Sequence, residues 1–475
     1  MLTISLFISL FILAKAFQLI YFFQIKEYRF DRFFSFIKEE GWYQALYFSS
    51  FRLPAKKTRN LLIMGLLFVA DYLIFQLLLK QSLPLLILDF FIVPLIAFLL
   101  TSVAVFLTAI PVYIYRQWLI TRAKSLVKRS SAICIGITGS YGKTSVKEFL
   151  YEILSQKFKI AKTEKNMNTD VGIALSIIGN LKSDTRYFIA EYGGYRTGEI
   201  ERTAKIIRPN QSILTGLGNQ HLDLYGSRKN LQKAETHILT LLDLQSFAYI
   251  NLDFPQSRVL TQKSPARKIY YSIRQKTDIY AANIKTTPQG TSADVYYHRH
   301  KIHLQTALLG KHNILNLLPC LALAIDLNMT TQEITHAISK IQPISGKLSV
   351  LAGIKGAVVV DDSYNTNVNG FLAAIEVLNT FDKSKKIIAT RGIIELGVEK
   401  SSSYKTILQA LAKTGIALFT TDRLFKELDQ AGKITTFNDV SDLIIYLKET
   451  INQDTVLLIE GRFPESTIKK LKHNS

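Results

Sequence analysis

The segment TGSYGKTS, residues 138–145, holds the residue types and spacing that point most directly to chemistry. Gly139 and Gly142 let backbone N–H groups approach an anion closely. Lys143 adds a point charge and Thr144 a hydroxyl suited to a magnesium ion, while Ser140, Tyr141 and Ser145 complete the loop. Such a loop cradles nucleotide phosphates, with a magnesium ion, Mg2+, expected beside them. The common spacing GxxxxGK[ST] would put glycine at 137, where this chain has Ile137. The loop is therefore a short form.

A cradle needs rigid elements on both sides. Ile133 to Ile137 reads as a buried strand, and Val146, Phe149, Leu150, Ile153 and Leu154 recur at helical spacing just after the loop. Glu191 closes the apolar run YFIAE, where a strand would deliver its carboxylate to the mouth of the same sheet. A buried carboxylate without a partner is costly, so a metal or a basic group is expected beside it. The central part alternates strand-like and helix-like segments, with strand-like insertions FAYINLDF (247–254) and IYYSI (269–273). Past Ser345, short runs such as AVVVD, KKIIAT, IALFTT and TVLLIEG alternate with amphipathic segments, which predicts a doubly wound sheet. Pro343 to Gly346 reads as the hinge between the two parts.

Upstream of residue 130 the chain changes character. Residues 2–24, 60–79 and 83–113 are long apolar runs, and Lys15 is the one charge in the first. They read as three spans, with a basic, aromatic segment at 25–59 lying at the membrane interface. Basic residues in 25–59 and 116–129 predict that both face the cytoplasm. The expected localisation is the cell (inner, cytoplasmic) membrane, multi-pass, with cytoplasmic catalytic domains, membrane lipids as partners and no nucleic acid. A net charge of +21, from 58 Lys and Arg against 37 Asp and Glu, suits anionic partners such as phosphates or lipid headgroups. Two cysteines, Cys134 and Cys320, offer neither a disulfide framework nor a CxxC pair, which leaves any metal to oxygen ligands. The fold class expected is α/β: membrane helices (1–130), a central P-loop ATPase-like α/β domain (131–343) and a C-terminal Rossmann-like α/β domain (344–475).

The form TGxxGKT[ST] resembles that of the Mur ligase family, ATP-dependent enzymes that join amino acids onto the peptidoglycan precursor, and of their folylpolyglutamate synthetase relatives. KTEKNMNTDVGIALSI (162–177), IAEYGGYRTGEI (189–200), LTGLGNQHLDLYGSRKNLQKAE (214–235) and GKHNILNLLPCLALA (310–324) are similar to the family's ordered motifs. GKLSVLAGIKGAVVVDDSYNTNVNGFLAAIEVL (346–378) and IIELG (393–397) resemble the MurF-type branch, which adds D-alanyl-D-alanine to a muramoyl tripeptide. The likeness covers roughly residues 131–465.

The resemblance implies that Glu191 and His221 help hold magnesium near the γ-phosphate and that Asn313 contacts adenine. Asp362 would reach the ribose or phosphate region, with Tyr364 stacking on the base, and Lys347 stands where the family has the arginine of a Gly-Arg pair. In QKAETHIL (232–239), Glu235 falls where MurF-type relatives carry a carbamylated lysine, and would supply a permanently ionised carboxylate to a second magnesium ion. The implied catalytic set is thus Lys143, Glu191, His221 and Glu235, and the implied metal set Thr144, Glu191, His221 and Glu235. Glu460, Gly461 and Arg462 replace the branch's Lys-Gly-Ser stretch, and the apolar region replaces a first domain that binds the uridine diphosphate sugar. These departures leave open whether the precursor is UDP-linked or lipid-linked, and which amino acid or dipeptide supplies the amine. Two rivals are a MurT-like amidating subunit, whose zinc-binding cysteine cluster the sequence lacks, and a membrane NTPase without ligase activity.

Overall fold

The computed structural model describes residues 2–41, 52–194, 198–218, 227–254, 256–364, 366–393, 396, 399–429, 432 and 434–473. Two compact units divide the chain, residues 1–118 and 119–475.

In the first unit, the helices Leu2–Ile25, Phe30–Glu40 and Thr58–Leu78 and the first part of Leu83–Arg129 surround Ile8, Ile12, Leu19, Phe23, Phe33, Ile63, Leu67 and Val93. Polar side chains inside it find one another, as buried polar groups must. Ser9 donates to Asp71 at 2.6 Å, and the Asn60 amide donates to Gln24 at 2.6 Å while Tyr28 donates to Asn60 at 2.6 Å. Three of these helices are long and apolar enough to cross a membrane, by length and composition only. Within the expected interfacial segment 25–59, residues 30–40 form a helix and 42–51 lie outside the described residues.

The second unit is built on two sheets. The larger contains β1 (Ile133–Thr138), β2 (Ile160–Lys162), β3 (Tyr187–Glu191), β4 (Gln211–Leu214), β5 (Phe247–Asn251), β6 (Arg267–Ser272), β7 (Ile279–Thr287), β8 (Gly290–Tyr297) and β9 (His300–Thr306), in the order β2-β3-β1-β4-β5-β6-β7-β8-β9. It is parallel from β2 through β7, and β7, β8 and β9 form an antiparallel meander. Strands covered on both faces read as continuous apolar runs, and β1 (ICIGIT) is one. Alternate residues serve opposite layers. Ile135 and Ile137 pack with Phe149, Leu150, Leu317 and Leu321, whereas Cys134 joins Phe188, Ile173, Ile177 and Ile238. The runs FAYIN and IYYS are not insertions, as the sequence suggested, but β5 and β6, full parallel members of the sheet. Their short flanking helices had obscured a βαβ repeat.

A smaller sheet contains β10 (Ser349–Ala352), β11 (Val358–Asp362), β12 (Lys385–Thr390), β13 (Ala417–Thr420), β14 (Ile434–Thr436) and β15 (Thr455–Glu460), ordered β10-β11-β15-β12-β13-β14. Only β10 runs antiparallel to its neighbour among these pairs. Its register puts Asp362 beside Glu460, and Glu460 beside Thr390, at the C-terminal ends of three adjacent strands.

Leu317 has no exposed surface and lies in the layer that backs the loop at 139–142. Leu317→Ala should cost about 2–5 kcal/mol through lost burial and the cavity left behind. A urea midpoint unchanged from wild type would contradict this packing.

Candidate active site

The loop 139–142 joins β1 to the helix Lys143–Leu154. From β1 the chain moves to β2 and β3 on one side and then to β4 on the other, so the loop lies at the point where strand order reverses. That is where α/β sheets open a crevice for ligands. Two glycines are obligatory here. Gly139 has φ +130° and Gly142 φ +81°, and a Cβ would come within 2.4 Å of Thr215 Oγ1 and 2.6 Å of Asn316 Oδ1 respectively. The turn is tied to the loop after β4: Ser140 N–H donates to the Gly216 carbonyl at 2.6 Å, Gly218 N–H donates to Ser140 Oγ at 2.9 Å, and Tyr141 forms a bridge with Gly216. Lys143 donates to the carbonyl of Gly139.

Glu191 ends β3 in register with Ile137, which places its carboxylate beside the start of the loop helix. It is 2% exposed. Thr144 Oγ1 donates to its Oε1 at 3.3 Å and Asn168 Nδ2 at 3.1 Å, while the Lys147 ammonium stands 3.4 Å from Oε2. Oε2 is buried and accepts no hydrogen bond; the lysine meets it as a charge only. A buried carboxylate whose Oε1 meets only the neutral donors Thr144 and Asn168 fits a hard divalent cation. Magnesium needs few protein ligands when phosphate oxygens and water complete its octahedron, so Thr144 and Glu191 are the residues that would hold it.

Glu235 is on the helix Arg228–His237, 6% exposed, and its Oε2 accepts from Ser140 Oγ at 2.8 Å. Burial pushes its carboxyl up to about 7, against the pull of Lys143 and Ser140. The permanently ionised carboxylate expected from the sequence is thus replaced by one that titrates near neutrality, because the side chain is enclosed behind the loop. His221 lies outside the described residues.

From the smaller sheet, Lys347, Asp362 and Tyr364 converge on the same place. Lys347 stands 3.4 Å from Ser145 Oγ, and its ammonium lies 5.1 Å from the Tyr364 ring centre. Burial pulls Lys347 down to about 8, partly offset by Glu191 and Asp362. Burial also pushes Asp362 and Glu460 up, the second by mutual repulsion as well, and Thr366 donates to Glu460. A cleft of about 540 Å³ runs between the sheets, lined among others by Thr144, Phe149, Asn166, Ile344, Lys347 and Tyr364. Asn313 is buried and donates to the Leu309 carbonyl at 2.8 Å at the start of its helix. Asn316, three residues on, brings its amide to Gly142. Sequence reasoning missed Asn316, Asn168 and Lys147. The first two stand in motifs already quoted, and the third follows Thr144 by three residues, one helical turn.

Models of the Mur ligase middle domain and of the Mur ligase glutamate ligase domain match residues 137–324 and 346–463. Among curated proteins, the chain is 30% identical over 311 residues to a UDP-N-acetylmuramoyl-tripeptide--D-alanyl-D-alanine ligase of Buchnera aphidicola subsp. Baizongia pistaciae, covering 64% of this chain and 66% of that one. It is 28% identical over 334 residues to the Escherichia coli (strain K12) protein of the same name, covering 68% and 72%. The chain therefore spans about two thirds of the length of these relatives. Its fold is similar to that of MurF from Acinetobacter baumannii (TM-score 0.68, 22% identity, 74% of this chain and 80% of that one). MurF ligase from Thermotoga maritima in complex with ADP is similarly close (TM-score 0.67, 22% identity, 75% and 82%).

These relatives overturn the multi-pass membrane localisation expected from the sequence. Their names specify a UDP-linked, nucleotide-borne substrate, which requires no membrane surface. The apolar helices qualify by length and composition alone, and apolar side chains pack against protein as well as lipid: half of the most apolar window of Leu2–Ile25 is covered by its own unit. Membrane lipids and a lipid-linked precursor are withdrawn as partners with it.

A lysine that contacts phosphate must be protonated. Below about pH 8 Lys347 already carries its proton, whereas above that pH it must take one up on binding. ADP affinity should therefore be flat below pH 8 and weaken by roughly tenfold per pH unit above it. In Lys347→Arg, always charged, the alkaline fall should vanish. Titration calorimetry from pH 6.5 to 9.5 reads this directly, and a flat wild-type profile would remove Lys347 from phosphate contact.

Proposed function

The chain belongs to the Mur ligase family of ATP-dependent, amide-forming enzymes, and from that premise we propose that it joins D-alanyl-D-alanine to a UDP-linked muramoyl tripeptide. One observation carries the reading. A glycine loop, a threonine hydroxyl and a buried strand-end carboxylate meet within hydrogen-bonding distance at the reversal point of the sheet, with a lysine from the second sheet closing over them.

The chemistry proposed has two steps. A carboxylate oxygen of the tripeptide attacks the γ-phosphorus of ATP, forming an acyl phosphate as the bond to the β-phosphate oxygen breaks and ADP is released. The amine nitrogen then attacks the acyl carbon, the amide C–N bond forms as the carbon–oxygen bond to phosphate breaks, and inorganic phosphate leaves with the proton the amine gives up. Backbone N–H groups of residues 141–144 hold the phosphates, and Lys143 and Lys347 offset the charge on the transferring group. Magnesium bound at Thr144 and Glu191 would supply further charge stabilisation. Phe149, Ile344 and Tyr364 line the cleft where base and ribose fit, and Asn316 offers an amide beside the loop. Asp362 and Glu460 stand side by side on adjacent strands of the smaller sheet, where burial pushes both carboxyls up. An acyl phosphate hydrolyses in water, so the approach of the two sheets serves to exclude it.

Phosphate release should require both the UDP-linked tripeptide and the dipeptide amine. Release that ignores the amine would favour a simple NTPase. Lys143→Ala should lower turnover by at least about 10²-fold, the scale of losing one charge-stabilising donor; activity within a few-fold of wild type would sink the phosphate-loop assignment. Turnover should also be indifferent to bicarbonate, since Glu235 already carries a carboxylate. Glu235→Gln should slow turnover and raise the magnesium requirement, and an unchanged requirement would take Glu235 out of the site.

A further inference from the structure

Lys147 has no exposed surface, and the chemistry above does not use it. A lysine normally carries its head to water, so an ammonium held wholly inside needs compensating partners. Three are present. The Nζ atom lies 3.4 Å from Glu191 Oε2 and 3.4 Å from Glu148 Oε1, and it donates to the carbonyl of Lys165. Glu148 also pairs with Lys162 on β2, so the ammonium sits within a chain of charges that runs from β2 to β3. Thr144 and Lys147 are one turn apart on the same face of their helix, and both reach Glu191.

The two oxygens of Glu191 are therefore served differently. Oε1 faces the neutral donors Thr144 and Asn168, which a metal ion can share or displace. Oε2 faces a cation fixed on a rigid helix. An ion pair at one oxygen favours the rotamer that leaves the other oxygen, held by Thr144 and Asn168, aimed at the loop. The same ammonium holds the carbonyl of Lys165, which with Asn166 forms part of the cleft wall.

We propose that Lys147 is a positioning residue that clamps Glu191 through Oε2 and anchors the wall at 165–166, so that the magnesium ligand and the nucleotide cleft are set by one buried charge. The proposal rests on the reading of Glu191 and Thr144 as the magnesium site. Two effects oppose each other when Lys147 is removed. Losing a cation relieves its repulsion of the incoming metal, but it also leaves a buried carboxylate without its counter-charge and free to rotate. Breaking a buried pair by removing one partner is the larger effect, and partners that orient metal ligands are worth about 10- to 100-fold in metal affinity.

The experiment measures binding of a fluorescent ADP analogue to the full chain as magnesium is raised, together with the thermal midpoint of the free protein. Lys147→Met should raise the magnesium concentration for half-saturation by about tenfold or more. Lys147→Arg, which keeps the charge in a different shape, should fall between Met and wild type. In a Glu191→Gln background the Lys147→Met change should add little, because the two residues act as a unit. A lowered thermal midpoint with an unmoved magnesium requirement, or full additivity with Glu191→Gln, would overturn the proposal and leave Lys147 a structural residue. Should Lys147→Met fail to fold, Lys147→Arg decides: a raised magnesium requirement at an unchanged midpoint supports the clamp, and an unmoved requirement overturns it. Wild-type binding indifferent to magnesium would instead overturn the metal reading itself, and this inference with it.

Discussion

Glu191, a carboxylate nearly sealed from water at the end of a central parallel strand, is the group around which the site is arranged. Isolating such a charge is costly unless it is paired and hydrogen-bonded. Each neighbour answers that cost: Thr144 and Lys147 from one helix, Asn168 from the loop before the next. The strand order then matters, because only the reversal beside β1 brings the end of β3 and the glycine loop to the same edge. Chemistry that handles phosphate thus follows from a topology that must first house an anion.

The second sheet repeats the problem. Asp362 and Glu460 end adjacent strands, and burial raises both carboxyls. Lys347 joins the two halves of the unit, close enough to feel Glu191 and Asp362 and stacked over Tyr364. A depressed lysine in place of an always-charged arginine makes the contact between the sheets responsive to pH in a range where arginine would be silent.

Glu235 shows how local sequence and environment part ways. On a helix with polar neighbours it reads as an ordinary ionised glutamate, yet the helix lays it against Ser140 with almost no exposure, and its carboxyl moves to near neutrality. Asn313 opens its helix with its amide donating to the Leu309 carbonyl, and Asn316, one turn on, brings its own amide to the loop.

What the sequence determined by itself was local: the short glycine loop with its flanking strand and helix, the strand-end position of Glu191, the alternation of the C-terminal sheet and the family likeness carried by ordered motifs. Spacing suffices there because strand and helix periods dictate which neighbours share a face. Only the tertiary structure decided the rest. It made FAYIN and IYYS members of the main sheet, turned Lys147 inward to a carboxylate 44 positions away on another strand, paired Asp362 with Glu460 by register and set the ionisation of Glu235, Asp362 and Lys347. Burial and long-range contact control each of these, and neither is a property of a residue's immediate neighbours. The apolar helices before residue 118 mark the same limit, since composition states that they avoid water but not what replaces it.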